Sequence, residues 1–135
     1  MNSTSEQLRG ALDGLLEGLP PRRLTGAVER LKEQYRGRTA DGRAAGTVPI
    51  LRDRVDVVAY AAYRMPATFA AAGAALRELA GRLPGWSPAG HLDIGGGTGA
   101  AVWAAAGTWP AADRPVTVVD WAGPALELGR ELAGA

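Results

Sequence analysis

The sequence contains no cysteine and a single histidine, His91. The first absence excludes disulfides, a thiol nucleophile and any cysteine-held metal or iron–sulfur cluster within these residues. The second excludes a histidine metal cluster. No apolar run approaches the ~20 residues needed to span a bilayer, so no membrane partner is expected. The opening Met-Asn-Ser-Thr-Ser-Glu-Gln lacks the basic and then apolar pattern of a secretory leader, which leaves the cytoplasm as the expected location. Charge of one sign is scarce too, with a formal net charge of only +1.

The charge is nevertheless unevenly spread. Residues 1–90 carry thirteen basic and nine acidic side chains, and residues 91–135 carry two and five. A mildly basic front and an acidic back suit an enzyme that approaches RNA with its front. Ordinary solvated helix faces would give the same distribution. Hydrophobic residues make up 47% of the 135, enough for the core of one ordinary domain. Many are alanines, which bury little area, so stability per residue should be modest.

The first 88 residues read as a helical region. Ser3 with Glu6 fits a capping box, and Leu8, Leu12, Leu15, Leu16 and Leu19 follow on one stripe. Pro20-Pro21 ends that helix and opens the next, whose stripe is Leu24, Ala27, Val28, Leu31 and Tyr35. Residues 37–50 are rich in turn formers and read as a loop. A third helix is expected over about Asp53–Arg64, broken or kinked at Pro66, with a fourth over Ala67–Leu83. Pro84-Gly85-Trp86-Ser87-Pro88 reads as a linker.

The period changes in residues 89–135. Leu92–Ile94 is a short strand, Gly95–Gly99 a loop and Ala100–Ala106 a helix. Val116–Val119 is a continuous apolar run, as expected of a strand buried on both faces. Pro124–Leu132 is a last helix. The fold class is therefore α/β: a helical front followed by a partial Rossmann-like β-α-β-α unit of the methyltransferase type with a parallel crossover.

The chemistry sits in Leu92-Asp93-Ile94-Gly95-Gly96-Gly97-Thr98-Gly99. Glycines in a strand-to-helix turn reach backbone angles closed to other residues and leave room for a ligand against the main chain. Two cofactors compete for the pattern. Gly95, Gly97 and Ala100 satisfy the dinucleotide form, and Asp93, Gly95, Gly97 and Gly99 satisfy the acidic-x-Gly-x-Gly-x-Gly form of a methyl-donor site. Asp93 favours the second, because a carboxylate at the mouth of the loop repels a pyrophosphate and suits the cationic methionyl end of S-adenosylmethionine. Asp120, closing the second strand, can accept both hydroxyls of a ribose. Trp121 either stacks on adenine or packs under the last helix. Thr98 either hydrogen-bonds near the ligand or caps the helix that follows the loop, and the cap is the preferred reading.

Ahead of the loop, Ala59-Tyr60-Ala61-Ala62-Tyr63-Arg64-Met65-Pro66-Ala67-Thr68-Phe69 resembles a family signature. It is similar to the segment that precedes the methyl-donor motif in the mitochondrial small-ribosomal-subunit-associated methyltransferase-like family, which includes bacterial members. There an Arg-x-Pro-x-Thr-aromatic segment is followed by a helix, a short linker and the Asp-x-Gly-x-Gly-x-Gly loop. The spacing from Arg64 to Asp93 and the Leu19-Pro20-Pro21 front match as well, so the resemblance covers about residues 18–133. It implies a role at the small ribosomal subunit, with rRNA as neighbour and S-adenosylmethionine as ligand. Under it Arg64 meets RNA phosphate or the ligand's carboxylate, or else serves as a helix-end charge. Tyr60 and Tyr63 are core residues or stacking platforms.

The chain also departs from the family. A complete methyltransferase domain has several more strands than the two counted here, and the later ones carry the acceptor-side groups. The family's cysteine-rich iron–sulfur region has no counterpart, so no catalytic residue and no metal ligand carries over. The expectation is a truncated or frameshifted product, or a split one whose second half is a separate chain, that methylates nothing alone. The competing expectations are a non-enzymatic RNA-binding or ribosome-assembly module and a fragment of an NAD-binding oxidoreductase.

Overall fold

Ser3 opens the first helix as its pattern requires. In the computed structural model, which describes residues 3–41, 53–111 and 113–134, α1 spans Thr4–Glu17. Glu6 N–H donates to Ser3 Oγ (3.3 Å) and Ser3 N–H donates to Glu6 Oε2 (2.7 Å). These bonds satisfy two amides that a helix start otherwise leaves unpaired. Leu8 and Leu12 are buried, with Leu15, Leu16 and Leu19 packed beside them.

Helix α2 (Pro21–Asp41) starts on a proline, where a missing N–H costs nothing. It buries Ala27 and Leu31 against Ala59. The expected loop begins later than Gly37, since the helix runs on to Asp41. One glycine costs a helix interior about 1 kcal/mol and does not by itself end it. Residues 42–50 of the expected loop, and the side chain of Tyr35, lie outside the described residues.

Helix α3 (Arg54–Arg82) replaces the two helices expected on either side of Pro66. Asp53 caps it, accepting from Asp56 N–H at 3.0 Å. Pro66 removes its own bond to the Ala62 carbonyl and crowds that carbonyl. The helix continues because both sides of the proline are anchored. Val57, Val58, Ala61 and Met65 are buried in the main core, and Gly73 lies against Ala104 of the helix after the loop. Arg64 thus falls mid-helix, which corrects its reading as a helix-end charge. Tyr60 packs at the edge of the α2–α3 core. Tyr63 is exposed, with Lys32 Nζ 5.6 Å above its ring.

Strands β1 (His91–Ile94) and β2 (Val116–Val119) pair in parallel, with Asp93 opposite Val118 and Ile94 opposite Val119. Helix α4 (Ala100–Thr108) follows β1, and α5 (Gly123–Ala133) follows β2. The architecture is α/β, helix-rich with a two-stranded parallel sheet. One core joins the helical front to this unit: Leu8 and Leu12 of α1, Met65 of α3, Ala100 of α4, and Leu128 and Leu132 of α5. Arg54 at the start of α3 also grips Glu131 near the end of α5 through two bonds of 2.8 Å. That hydrogen-bonded guanidinium holds the Glu131 carboxyl below its ordinary range.

The expectation that Val116–Val119 is buried on both faces is not met. Val116 and Val119 are 44% and 50% exposed, and Leu92 and Ile94 are 63% and 78% exposed. The helices pack on one side, and among the described residues nothing covers the face that carries Leu92 and Ile94. No helix among the described residues is long and apolar enough to cross a membrane.

Candidate functional site

The loop between β1 and α4 takes its shape from glycine. Gly95, Gly97 and Gly99 have φ of +73°, +54° and +91°, a region that L side chains rarely enter. Gly95 N–H donates to Val119 O (2.6 Å), which carries the strand pairing into the loop. Gly99 N–H then turns back to Gly96 O (2.9 Å), and α4 begins.

Gly96 is glycine for a different reason. A Cβ there would lie 2.5 Å from both Cγ and Oδ2 of Asp93, and 2.7 Å from Val118 Cγ1. The turn is pressed onto the Asp93 side chain. Asp93 is accordingly not at the open mouth of the loop, as the sequence pattern had it, but beneath it. Its Oδ2 is buried and has no hydrogen-bond partner. Such an oxygen has lost water without gaining a donor, an arrangement that costs about 1–3 kcal/mol.

Asp120 closes β2 on the other side of the loop. Its Oδ2 accepts from Gly97 N–H (2.9 Å) and its Oδ1 from Ala122 N–H (2.8 Å). The carboxylate therefore links the loop to the start of α5. A carboxylate has about four acceptor positions, so two remain after these bonds are made. Trp121 is 79% exposed and does not pack under α5.

Thr98 does not cap α4. The cap position is Gly99, which makes no side-chain cap bond, and Thr98 Oγ1 instead donates to Met65 Sδ at 3.4 Å. Both residues are buried, at 3% and 1% exposure. The main chain of Thr98 is also packed against α5, where a Cβ on Gly129 would stand 3.1 Å from the Thr98 carbonyl oxygen. Arg64 stands exposed on α3 one residue before Met65, about 100° around the helix from it. A cavity of about 490 Å³ opens between α4, β2 and α5 under Gly97–Gly99, with Trp103, Val118 and Leu126 in its wall. Neither Asp93 nor Asp120 lines it. The carboxylates instead flank the loop at the ends of the strands. No cluster of metal-ligating side chains occurs among the described residues.

The structure thus brings Asp93, Gly95, Gly97, Gly99 and Asp120 together, with Trp121 exposed next to Asp120. Two participants were not read from the sequence. The signal for Gly96 was present, as a glycine beyond the three that the motif needs. Nothing in the spacing pairs Met65 with Thr98, 33 residues apart.

Comparison with known proteins places this geometry in a family. Residues 54–135, well over half of the chain, match the model of Rsm22, described as mitochondrial small ribosomal subunit Rsm22. The chain is also 36% identical over 73 residues to the human mitochondrial ribosome assembly protein METTL17. The aligned part is 54% of this chain and spans 16% of the length of the human protein. These matches overturn the cytoplasmic expectation, since both the family and the human relative are mitochondrial. The inference had rested on a missing secretory leader, which speaks only to the secretory route. With its model matched from the start of α3 through the glycine loop and α5, the chain belongs to the Rsm22 family.

Proposed function

We propose that this protein binds S-adenosylmethionine on a partial Rossmann-like unit and acts at the small ribosomal subunit, in ribosome assembly or rRNA methylation. The observation that carries the ligand is Asp93 Oδ2, buried beneath the glycine turn and lacking a donor. The Asp93 carboxylate places negative charge directly under the turn, which favours a cationic methionyl end above it and disfavours a pyrophosphate. The positive-φ glycines leave main chain open to a ligand, and the two remaining acceptor positions of Asp120 suit ribose hydroxyls. Trp121 offers an exposed indole for adenine, and Arg64 a cation for RNA phosphate or the ligand's carboxylate. When bound, the cofactor would supply an activated methyl group. No catalytic residue is assigned in this chain, so the proposal is of binding. The ribosomal role rests on the family and on the human relative's name.

Titration calorimetry with S-adenosylmethionine and with NADH tests the ligand. Heat is expected for the first and none for the second. Asp93→Ala should abolish that heat while leaving the ligand-free protein as stable as wild type or more so, because an unsatisfied buried oxygen is removed. Heat for NADH alone, or undiminished binding by Asp93→Ala, refutes the assignment. Salt-sensitive co-sedimentation with purified small subunits is expected for the ribosomal role. Its absence at low salt refutes that part.

A further inference from the structure

We infer that Met65 and Thr98 are positioning residues: their buried contact fixes the glycine loop in its ligand-ready shape and ties that shape to helix α3. The inference rests on the ligand reading above and adds residues to it. Thr98 lies between Gly97 and Gly99, the two loop residues whose amides are held by Asp120 and by Gly96 O. Both neighbours are glycines at positive φ, so the loop has little stiffness of its own. Its geometry must be imposed from outside.

Thr98 is where that happens. Its main chain is pressed against Gly129 of α5, and its hydroxyl, at 3% residue exposure, reaches Met65 Sδ at 3.4 Å. A buried hydroxyl needs a partner, and a thioether is a weak acceptor that also fills an apolar core. Met65 is 1% exposed and sits in the cluster that joins α1, α3, α4 and α5. It cannot move without moving that core, which makes it a fixed post for the loop. It also gives the Arg64-Met65-Pro66 segment a physical task beside the glycine loop, although 33 residues separate Met65 from Thr98.

Three variants of the full chain test this. Thr98→Val keeps the shape and deletes the hydroxyl. Met65→Leu keeps most of the volume and deletes the sulfur. Thr98→Ser keeps the hydroxyl. The first two should weaken S-adenosylmethionine binding roughly two- to threefold, because a loop that loses this weak contact spends less time in its binding-competent shape, and Thr98→Ser should bind as wild type does. Amide exchange without ligand provides an independent readout. Gly97 and Gly99 should exchange faster by a similar factor in Thr98→Val and Met65→Leu, while β1, β2 and the α3 interior keep their wild-type rates. Faster exchange throughout the chain, or none at the two glycines, overturns the inference. So does wild-type affinity in both deletion variants. If the wild-type protein binds no S-adenosylmethionine, the ligand reading fails by itself, and the exchange pattern still decides whether Met65 holds the loop.

Discussion

Replacing Gly96 with alanine adds one methyl group where the turn crosses Asp93. That methyl would meet Asp93 Cγ and Oδ2 at 2.5 Å and Val118 Cγ1 at 2.7 Å, well inside van der Waals contact. Backbone strain contributes nothing, since Gly96 is not among the positive-φ residues. The cost is steric, and two features keep it from being relieved cheaply. Val118 is β-branched, stiff at χ1, and paired in register with Asp93. Asp93 Oδ2 is already buried. Overpacking of this kind costs about 1–3 kcal/mol, and with both neighbours constrained the upper half of that range is expected. At about 3–4 °C per kcal/mol for a chain of this size, the melting temperature should fall by roughly 6–12 °C. Gly95→Ala supplies the contrast. A Cβ there meets nothing within 4 Å, but φ is +73°, so the cost is the left-handed backbone penalty of about 1–2 kcal/mol. Urea titration followed by far-UV circular dichroism and tryptophan fluorescence should therefore rank Gly96→Ala as the more destabilising change. Adding Asp93→Ala should recover part of the loss, because it removes two of the three close contacts. The reasoning fails if Gly96→Ala lies within about 0.5 kcal/mol of wild type, the spread of an ordinary surface change, or if Gly95→Ala costs more.

Asp120→Asn should destabilise the protein by about 1–3 kcal/mol, because an amide cannot accept at both positions where Gly97 and Ala122 donate. Wild-type stability in a denaturant titration would show that the link between loop and α5 carries no weight. Glu131→Gln should lower stability at neutral pH, and the difference from wild type should vanish in acid. The folded-state pKa of Glu131 is depressed by Arg54, so its contribution is present above the ordinary glutamate pKa and is lost as pH falls through the depressed one. Melting temperatures of the two proteins across the acid range check this, and a gap that persists below both pKa values contradicts it. Ser3→Ala breaks the capping box and should cost about 1 kcal/mol, read as a fall in the denaturation midpoint.

The local elements were largely legible in the sequence. The capping box, the leucine stripe of α1, both strands and both helices of the glycine-loop unit lie close to where the pattern puts them. The errors came where a local rule met a tertiary contact. Pro66 weakens a helix locally, but buried neighbours on both sides carry α3 through it. Thr98 looks like a cap by its position, but Met65 takes its hydroxyl. Val116–Val119 has the composition of a strand buried on both faces, and composition cannot say which neighbours are present to bury it.

The Asp93 loop shows the same division. Its residues and spacing were sufficient to mark a sharp strand-to-helix turn, because the need for positive φ is local and is written in glycine. The sequence also carried the family signature around Arg64 and Pro66. Only the tertiary structure decided what each group does in the fold: Asp93 lies beneath Gly96 with an unpartnered oxygen, Asp120 braces the loop against α5, and Met65 holds Thr98. Those contacts join residues from 3 to 33 positions apart in the chain. The Asp93–Gly96 contact is local and left its trace in the extra glycine, whereas Gly97 with Asp120 and Met65 with Thr98 meet only after helices and strands have packed, so no local pattern records them.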